Sequence, residues 1–338
     1  MSSVVPGRVS VIIPCYNAEK FIRRAIKSSL NQTYQNVEIV VVDDASSDNL
    51  ERVLEPYKNH IVFHRNSVNS GTSATRNIGV RHSTGELLAF LDQDDWWSED
   101  LLEKLVPFVS IGNAVCYDNY LVAEAEVQQK PDSYFTSNQT VFSEALPWKQ
   151  ELLNRENMHT YFQGAPMLKA IVHRNDFELV QGYDSRFFGV EDFHFFVKLL
   201  AHEVHLKIVS DPKGYYLIHN SAITSSISRG NTKNLSGELK ACLGWHLMSK
   251  TMPNELNLSE KALSICRDSE RYWQARYAEL LLHHHLHSKD IFAIANPKFI
   301  QTFVPNLPRI FYMKAKNMGS KLQAKFRLEK GAVKAPKN

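Results

Sequence analysis

The chain has 338 residues, of which 43% are hydrophobic and 22% charged, and its 39 Lys and Arg against 36 Asp and Glu give a formal charge of +3. At roughly 150 residues per domain the length suggests about two globular domains with ample apolar material for a core. So small a net charge argues against a nucleic-acid binder governed by backbone electrostatics.

The first predicted element is a strand over Val9–Ile13, a mostly β-branched run stopped by Pro14. Ala18–Asn31 then places Phe21, Ile22, Ala25, Ile26 and Leu30 at helical spacing, and Val37–Val42 is a second buried strand stopped by Asp43 and Asp44. This is a βαβ unit, and the alternation continues with a helix over Asp48–Tyr57, a strand at Ile61–Phe63, a helix over Ser73–His82 and a strand at Leu87–Leu91. Such a pattern predicts a doubly wound α/β sheet. Beyond Asp100 the rhythm changes to a helix at Leu101–Val109, a strand at Ala114–Val122 and a polar stretch, Glu124–Thr140, with the composition of an exposed loop or lid. A strand at Met167–Val172, a helix at Asp192–His202 and two strands at His205–Val209 and Tyr215–His219 follow. The Ser/Thr/Gly/Asn-rich stretch Ser221–Ser236 reads as a linker, and the remainder is mainly helical, for example Leu239–Lys250 and Glu260–Leu286.

Ligands of open α/β sheets bind outside the carboxyl ends of the strands. Here those ends are strongly polar: Pro14-Cys15-Tyr16-Asn17, Asp43-Asp44-Ala45-Ser46-Ser47-Asp48 and Asp92-Gln93-Asp94-Asp95-Trp96-Trp97. Neither GxGxxG nor GxxxxGK[ST] occurs, which argues against a dinucleotide-binding Rossmann domain and a P-loop NTPase. Asp92, Asp94 and Asp95 crowd three hard carboxylates into four residues, a set suited to Mg²⁺ or Mn²⁺ with open positions for a diphosphate, although an acidic turn capping the next helix reads the same way. Asn69–Gly79 opens a helix with small residues and sets Arg76 one turn inside, an arrangement that favours an anion but also fits an ordinary capped helix. Asp43 or Asp44 could accept from a base or ribose. Glu191 and Asp192 start a helix beside aromatics, where a carboxylate can serve as a general base or as a cap. His219 ends a strand and could ligate a metal. In His283-His284-His285-Leu286-His287, only His283 and His287 have the four-residue spacing that shares a helix face, and a solvated or partly buried helix surface explains the cluster better than a metal site.

In order and spacing these segments resemble one family. VSVIIPCYNAEKFIRRAIKSSLNQTY, VEIVVVDDASSD, NSGTSATRNIG, TGELLAFLDQDDWW and GYDSRFFGVEDFHFFVKL are similar to the family 2 glycosyltransferases of the GT-A fold, over roughly Val9–Ser228. The resemblance implies a GT-A catalytic domain over 1–230, a mixed doubly wound sheet, and a mainly helical C-terminal region over 231–338. It implies that Pro14, Tyr16, Asn17, Asp44 and Arg76 line the nucleotide site, with Asp92 and Glu191 on the donor side. Asp94, Asp95 and His219 would hold Mn²⁺ or Mg²⁺, Asp92 and Asp94 forming the family's DxD pair, and Asp192 would be the base of an inverting transfer. The Thr75-Arg76-Asn77 segment departs from the usual Ala-Arg-Asn, and Lys198 and Leu217 stand where Arg is frequent. The implied donor is a nucleotide sugar, with UDP favoured as carrier. The implied acceptor is a glycan or lipid-linked hydroxyl, and the product class a bacterial lipopolysaccharide or capsule.

The remaining expectations concern location and partners. Four scattered cysteines without a CxxC pair argue against zinc and a disulfide framework, and point to a reduced compartment. No signal-peptide core and no run of about 18 apolar residues appears, so the protein is expected in the cytoplasm. Lys314–Asn338 carries eight basic residues against Glu329, and with Phe299, Phe303, Phe311 and Phe326 upstream and within it reads as a basic amphipathic segment for the inner face of an anionic membrane, or as a solvated tail. The long C-terminal helices could form a homodimer contact. A non-catalytic nucleotide-sugar-binding or scaffold protein and a nucleotidyltransferase are the rival classes; the latter usually carries a Gly-rich basic loop after its first strand, where this chain has Pro14-Cys15-Tyr16-Asn17.

Overall fold

The computed structural model describes residues 3–123, 128, 152–158, 169–219 and 235–270. One compact unit spans Met1–Glu270 and a second Arg271–Asn338. The second unit, with the His283–His287 cluster and the basic tail, lies outside the described residues, as do most of Glu124–Thr140 and nearly all of Ser221–Ser236.

In chain order the elements are β1 (Val5–Cys15), α1 (Ile22–Leu30), β2 (Val37–Asp43), α2 (Leu50–Leu54), β3 (Val62–Arg65), α3 (Thr72–Arg81), β4 (Gly85–Phe90), β5 (Trp96–Trp97), α4 (Leu101–Leu105), β6 (Asn113–Ala123), β7 (Leu152–Leu153), β8 (Lys169–His173), α5 (Arg174–Leu179), α6 (Glu191–Ala201), β9 (His205–Ile218) and α7 (Leu235–Glu255). The sheet runs β3-β2-β1-β4-β8-β6-β9-β5, with β7 added against β9. Its first four strands are parallel, β4–β8 and β8–β6 are antiparallel, and β6–β9 is parallel again. This is the doubly wound sheet that the alternating pattern predicts, of the mixed kind that the family resemblance implies.

The unbroken apolar runs are explained by burial on both faces, since successive side chains of a strand point to opposite sides. Ile12, Val40, Val42, Leu88 and Phe90 join one core with α3, α5 and α6. Their neighbours Val11, Ile13, Ile39, Val41, Leu87 and Ala89 join the other, with α1 and α4. Helix α3 lies close on the sheet because Gly79 has no side chain: a Cβ there would stand 2.4 Å from Ile12 Cγ2 and 3.3 Å from Val42 Cγ2. Gly79→Ala is therefore expected to cost about 1–3 kcal/mol by overpacking, read as a lower urea midpoint at unchanged m-value. A midpoint equal to that of the unsubstituted protein would show that α3 shifts freely.

Several details differ from expectation. The two strands expected at His205–Val209 and Tyr215–His219 are one strand, β9, whose pairing jumps from Tyr117 opposite Val209 to Asn119 opposite Gly214. The extra residues around Pro212 form a bulge, and their composition imitates a turn. Helix α2 is α-helical only to Leu54 and tightens into a 3₁₀ turn at Glu55–Tyr57, where Pro56 cannot donate to the helix ladder. Helix α5 has no signal in the apolar pattern. Its start is fixed by polar bonds, the His173 ring accepting from the Asn175 amide at 3.1 Å and Arg174 donating to the Gly85 carbonyl at 2.8 Å.

Candidate active site

Strand order reverses beside β1, where β2 leads to one edge and β4 to the other, and the carboxyl ends of these strands open onto a single crevice. Pro14 stands two residues past the last β1–β4 pair, Ile12 opposite Phe90, where a missing amide proton costs the ladder nothing on that side. The two loops beyond are held in unusual backbone conformations, with φ of 52° at Asn17 and 62° at Ala45. Side chains enforce them: the Asn17 amide donates to Ser46 Oγ at 2.8 Å, and Asn17 Oδ1 accepts from the Ser47 amide at 2.9 Å. Exposed Tyr16 is latched to the next strand end by Gln93, which accepts from its amide at 2.7 Å. Buried Asp44 accepts from Asn66 Nδ2, the Ser70 amide and the Gly71 amide, each at 2.8 Å, so its carboxylate anchors the loop that starts α3. Gly71, at φ 82°, is the residue that turns this loop into the helix.

One turn into α3, Arg76 leaves only 2% of its side chain exposed, and its guanidinium joins segments far apart in sequence. It donates to Asp92 Oδ1 at 2.8 Å and Asp192 Oδ1 at 2.7 Å, lies 3.4 Å from Glu191 Oε1, and stacks over the Tyr183 ring at 4.9 Å. From β8, Lys169 donates to Asp92 Oδ2 and stands 3.8 Å from Asp192 Oδ2. Burial alone would push the Asp92 carboxyl up, yet Lys169 and Arg76 hold it well below the usual carboxylate range. Burial opposes charge on Lys169 and Arg76 as well, and the surrounding carboxylates raise both above their ordinary values. Glu191 is pushed up by burial and by Asp192. The adjacent acids thus differ: Glu191 exposes 12% of its side chain and Asp192 37%.

Asp94 and His219 form a separate pair, with His219 Nε2 2.8 Å from Asp94 Oδ2 and the imidazole packed on Phe21 at 4.5 Å. Asp95 is placed differently. Its Oδ1 accepts from the Leu217 amide at 3.2 Å and its buried Oδ2 has no hydrogen-bond partner; burial, then Asp94 and Asp92, push its carboxyl well up. Among the described residues no group of three or more His, Cys, Asp or Glu is arranged to hold a metal ion. Asp94 and His219 are an oxygen and a nitrogen donor side by side, and a divalent cation bound by two protein groups would keep positions for phosphate oxygens. The aromatic pair beyond is structural. Trp96 stacks on Tyr215 at 5.3 Å and Trp97 donates to the Tyr117 hydroxyl at 2.6 Å, both indoles buried.

Residues 10–170 match the model of the family Glycosyl transferase family 2. Over these residues, just under half of the chain, it carries the sequence pattern of that family. Among curated relatives, it is 40% identical over 114 residues to the UDP-Glc:alpha-D-GlcNAc-diphosphoundecaprenol beta-1,3-glucosyltransferase WfgD of Escherichia coli, covering 33% of this chain and 45% of that one. It is 36% identical over 104 residues to the glycosyltransferase GlyA of Streptococcus pneumoniae, covering 30% of this chain and 15% of GlyA, so the matched stretch spans half or less of both relatives. The fold is that of Staphylococcus aureus TarS 1-349 in complex with UDP-GlcNAc, at TM-score 0.55 and 19% identity over 81% of this chain and 71% of that one. It is also that of the mannosyltransferase PcManGT from Pyrobaculum calidifontis in complex with GDP-Man and Mn2+, at TM-score 0.54 and 17% identity over 94% and 84% of the two chains. This confirms the expected GT-A type of fold. Of the family 2 site residues expected from sequence, Arg76, Asp92, Glu191 and Asp192 are brought into one cluster, Asp94 and His219 into a second, and Tyr16 and Asn17 onto the crevice rim. Lys169 was missed; its only signal was a charged residue in an otherwise apolar strand run.

Proposed function

We propose that the protein is a family 2 glycosyltransferase, a metal-dependent, inverting enzyme that moves a sugar from a UDP-sugar to a hydroxyl of a glycan or lipid-linked acceptor, in the assembly of a bacterial surface polysaccharide. The observation that carries the reading is the Arg76 fork, which fixes half-exposed Asp192 opposite Asp92 through bonds of 2.7 and 2.8 Å. A carboxylate held this way at the crevice, with one oxygen away from the guanidinium, is suited to accept a proton. The relatives support the donor class and pathway: WfgD uses UDP-Glc and a diphosphoundecaprenol-linked acceptor by its name, and a relative 38% identical over 106 residues is the putative teichuronic acid biosynthesis glycosyltransferase TuaG of Bacillus subtilis.

In this account Pro14, Tyr16 and Asn17 receive the nucleoside, with Asp44 holding the loop beside it, and Asp92 accepts from the ribose. Asp94 and His219 would hold the divalent cation. When bound, that cation supplies Lewis-acid neutralisation of the departing diphosphate. Asp192 takes the proton from the acceptor hydroxyl as its oxygen forms a bond to the anomeric carbon and the bond from that carbon to the phosphate oxygen breaks. The bonding pair leaves with the nucleoside diphosphate. One displacement with one base inverts the anomeric carbon.

Melting curves with UDP, GDP, CDP and dTDP, each with and without Mn²⁺, test the donor site, because a ligand of the folded state raises the melting temperature by mass action. The expected result is a Mn²⁺-dependent rise with UDP, lost in Asp94→Asn and retained in Asp192→Asn. A UDP response indifferent to both Mn²⁺ and Asp94 would contradict the metal assignment, and no response to any nucleotide would contradict the donor site.

A further inference from the structure

Two cations and two carboxylates close a ring beneath the crevice. Arg76 takes the Oδ1 atoms, at 2.8 Å from Asp92 and 2.7 Å from Asp192. Lys169 faces the Oδ2 atoms, donating to that of Asp92 and lying 3.8 Å from that of Asp192. Each carboxylate thus presents one oxygen to each cation. The four side chains come from α3, the loop after β4, the first residue of β8 and the first turn of α6, so the ring ties together segments that the chain separates widely.

We propose that Lys169 is a positioning residue for the transfer step, holding the base Asp192 in register with the donor-side carboxylate Asp92. The inference rests on the transferase reading above. A carboxylate bound at one oxygen only can swing about its Cα–Cβ and Cβ–Cγ bonds, and a misplacement of about 1 Å at a reacting group can cost on the order of 100-fold in rate. The second cation, 3.8 Å from Asp192 Oδ2 and so an ion-pair partner, restrains that swing by charge attraction. It also balances charge, since Arg76 alone would face Asp92, Asp192 and Glu191 in a buried site, and like charges of that density repel strongly where water is excluded. Lys169 exposes only 8% of its side chain, against 37% for Asp192, so the carboxylate and not the ammonium is the group open to solvent. A group that acts through Asp192 must lose its influence once Asp192 no longer works as a base.

The test measures initial rates of nucleoside diphosphate release from UDP-glucose, UDP-GlcNAc and GDP-mannose with Mn²⁺, water serving as acceptor, for the full chain. The variants are Lys169→Met, Lys169→Arg, Asp192→Asn and the double variant Lys169→Met/Asp192→Asn. Lys169→Met is expected to lose at least about 10-fold with the best donor, and Lys169→Arg, which keeps the charge, to remain within about 3-fold of the unsubstituted enzyme. In the Asp192→Asn background Lys169→Met should cost less than about 2-fold. Should Lys169→Met melt below the assay temperature, Lys169→Gln replaces it, uncharged and close in length. Rates unchanged by removing the charge overturn the inference, as does an equal factor lost in both backgrounds, which would mean that Lys169 acts independently of the base. In both cases the unsubstituted enzyme is active and the transferase reading stands. An unsubstituted enzyme that releases no nucleoside diphosphate and shows no nucleotide-dependent melting shift overturns that reading, and this inference with it.

Discussion

Asp192→Asn is expected to lower the rate of transfer by about 10²–10⁴-fold while leaving nucleotide binding intact. The substitution is isosteric, so Oδ1 can still accept from Arg76, whose bond to it is 2.7 Å, and the ring around Asp92 keeps its shape. What is lost is the ability to take a proton. Glu191 is a poor substitute although it is adjacent in sequence. It exposes only 12% of its side chain, and burial together with the neighbouring Asp192 charge pushes its carboxyl up, toward the protonated form. The check pairs two measurements on the same variant: the initial rate of nucleoside diphosphate release, and the Mn²⁺-dependent melting shift with UDP. A rate within about 3-fold of the unsubstituted enzyme would remove Asp192 from the chemistry. A rate loss accompanied by loss of the melting shift would place it in donor binding instead.

Arg76→Leu should be the most damaging substitution for stability. Removing one partner of a buried ion pair leaves uncompensated charge and typically costs about 3–5 kcal/mol. Here the guanidinium, with 2% of its side chain exposed, bridges Asp92 and Asp192 and approaches Glu191, so three carboxylates would be left with Lys169 alone. Loss of the stack over Tyr183 adds to the damage. For a unit of this size about 2–4 °C of melting temperature accompanies each kcal/mol, so a fall on the order of 10 °C is expected. Arg76→Lys should recover part of it, because an ammonium restores the charge but not the fork that reaches two carboxylates at once. Calorimetry checks both variants. A fall of less than about 2 °C for Arg76→Leu would mean that the carboxylates find other compensation, and would weaken the view that the ring organises the site.

The central sheet was legible in the sequence because strands buried on both faces leave uninterrupted β-branched runs, as at Val9–Ile13 and Val37–Val42. The polar strand ends were legible for a related reason, since acids such as Asp92, Asp94 and Asp95 directly after an apolar run stand where an open sheet binds ligands. Where bonds between side chain and backbone decide the structure, the apolar pattern carries no information. Helix α5, capped by His173, and the Asp44-anchored loop at Asn66–Gly71 are of this kind. Lys169 escaped because its function depends on two partners 77 and 23 positions away, and proximity of that sort arises only when β4, β8 and α6 are packed together. Asp95 shows the converse. Adjacency to Asp94 suggests a shared role, but successive residues in a turn point apart, and its carboxylate reaches the Leu217 amide.

The most direct test of the central claim, that Asp192 drives a single displacement on a nucleotide sugar held at Asp92 and Asp94, is the anomeric configuration of the first-formed product. Proton NMR during turnover of the nucleotide sugar that gives the fastest nucleoside diphosphate release, with Mn²⁺ present, reads it from the anomeric signals before mutarotation. An α-linked donor should yield a β-configured sugar, with Asp192→Asn forming it at least about 100-fold more slowly. An α-configured product, or turnover within about 3-fold of the unsubstituted enzyme without Asp192, would contradict the account.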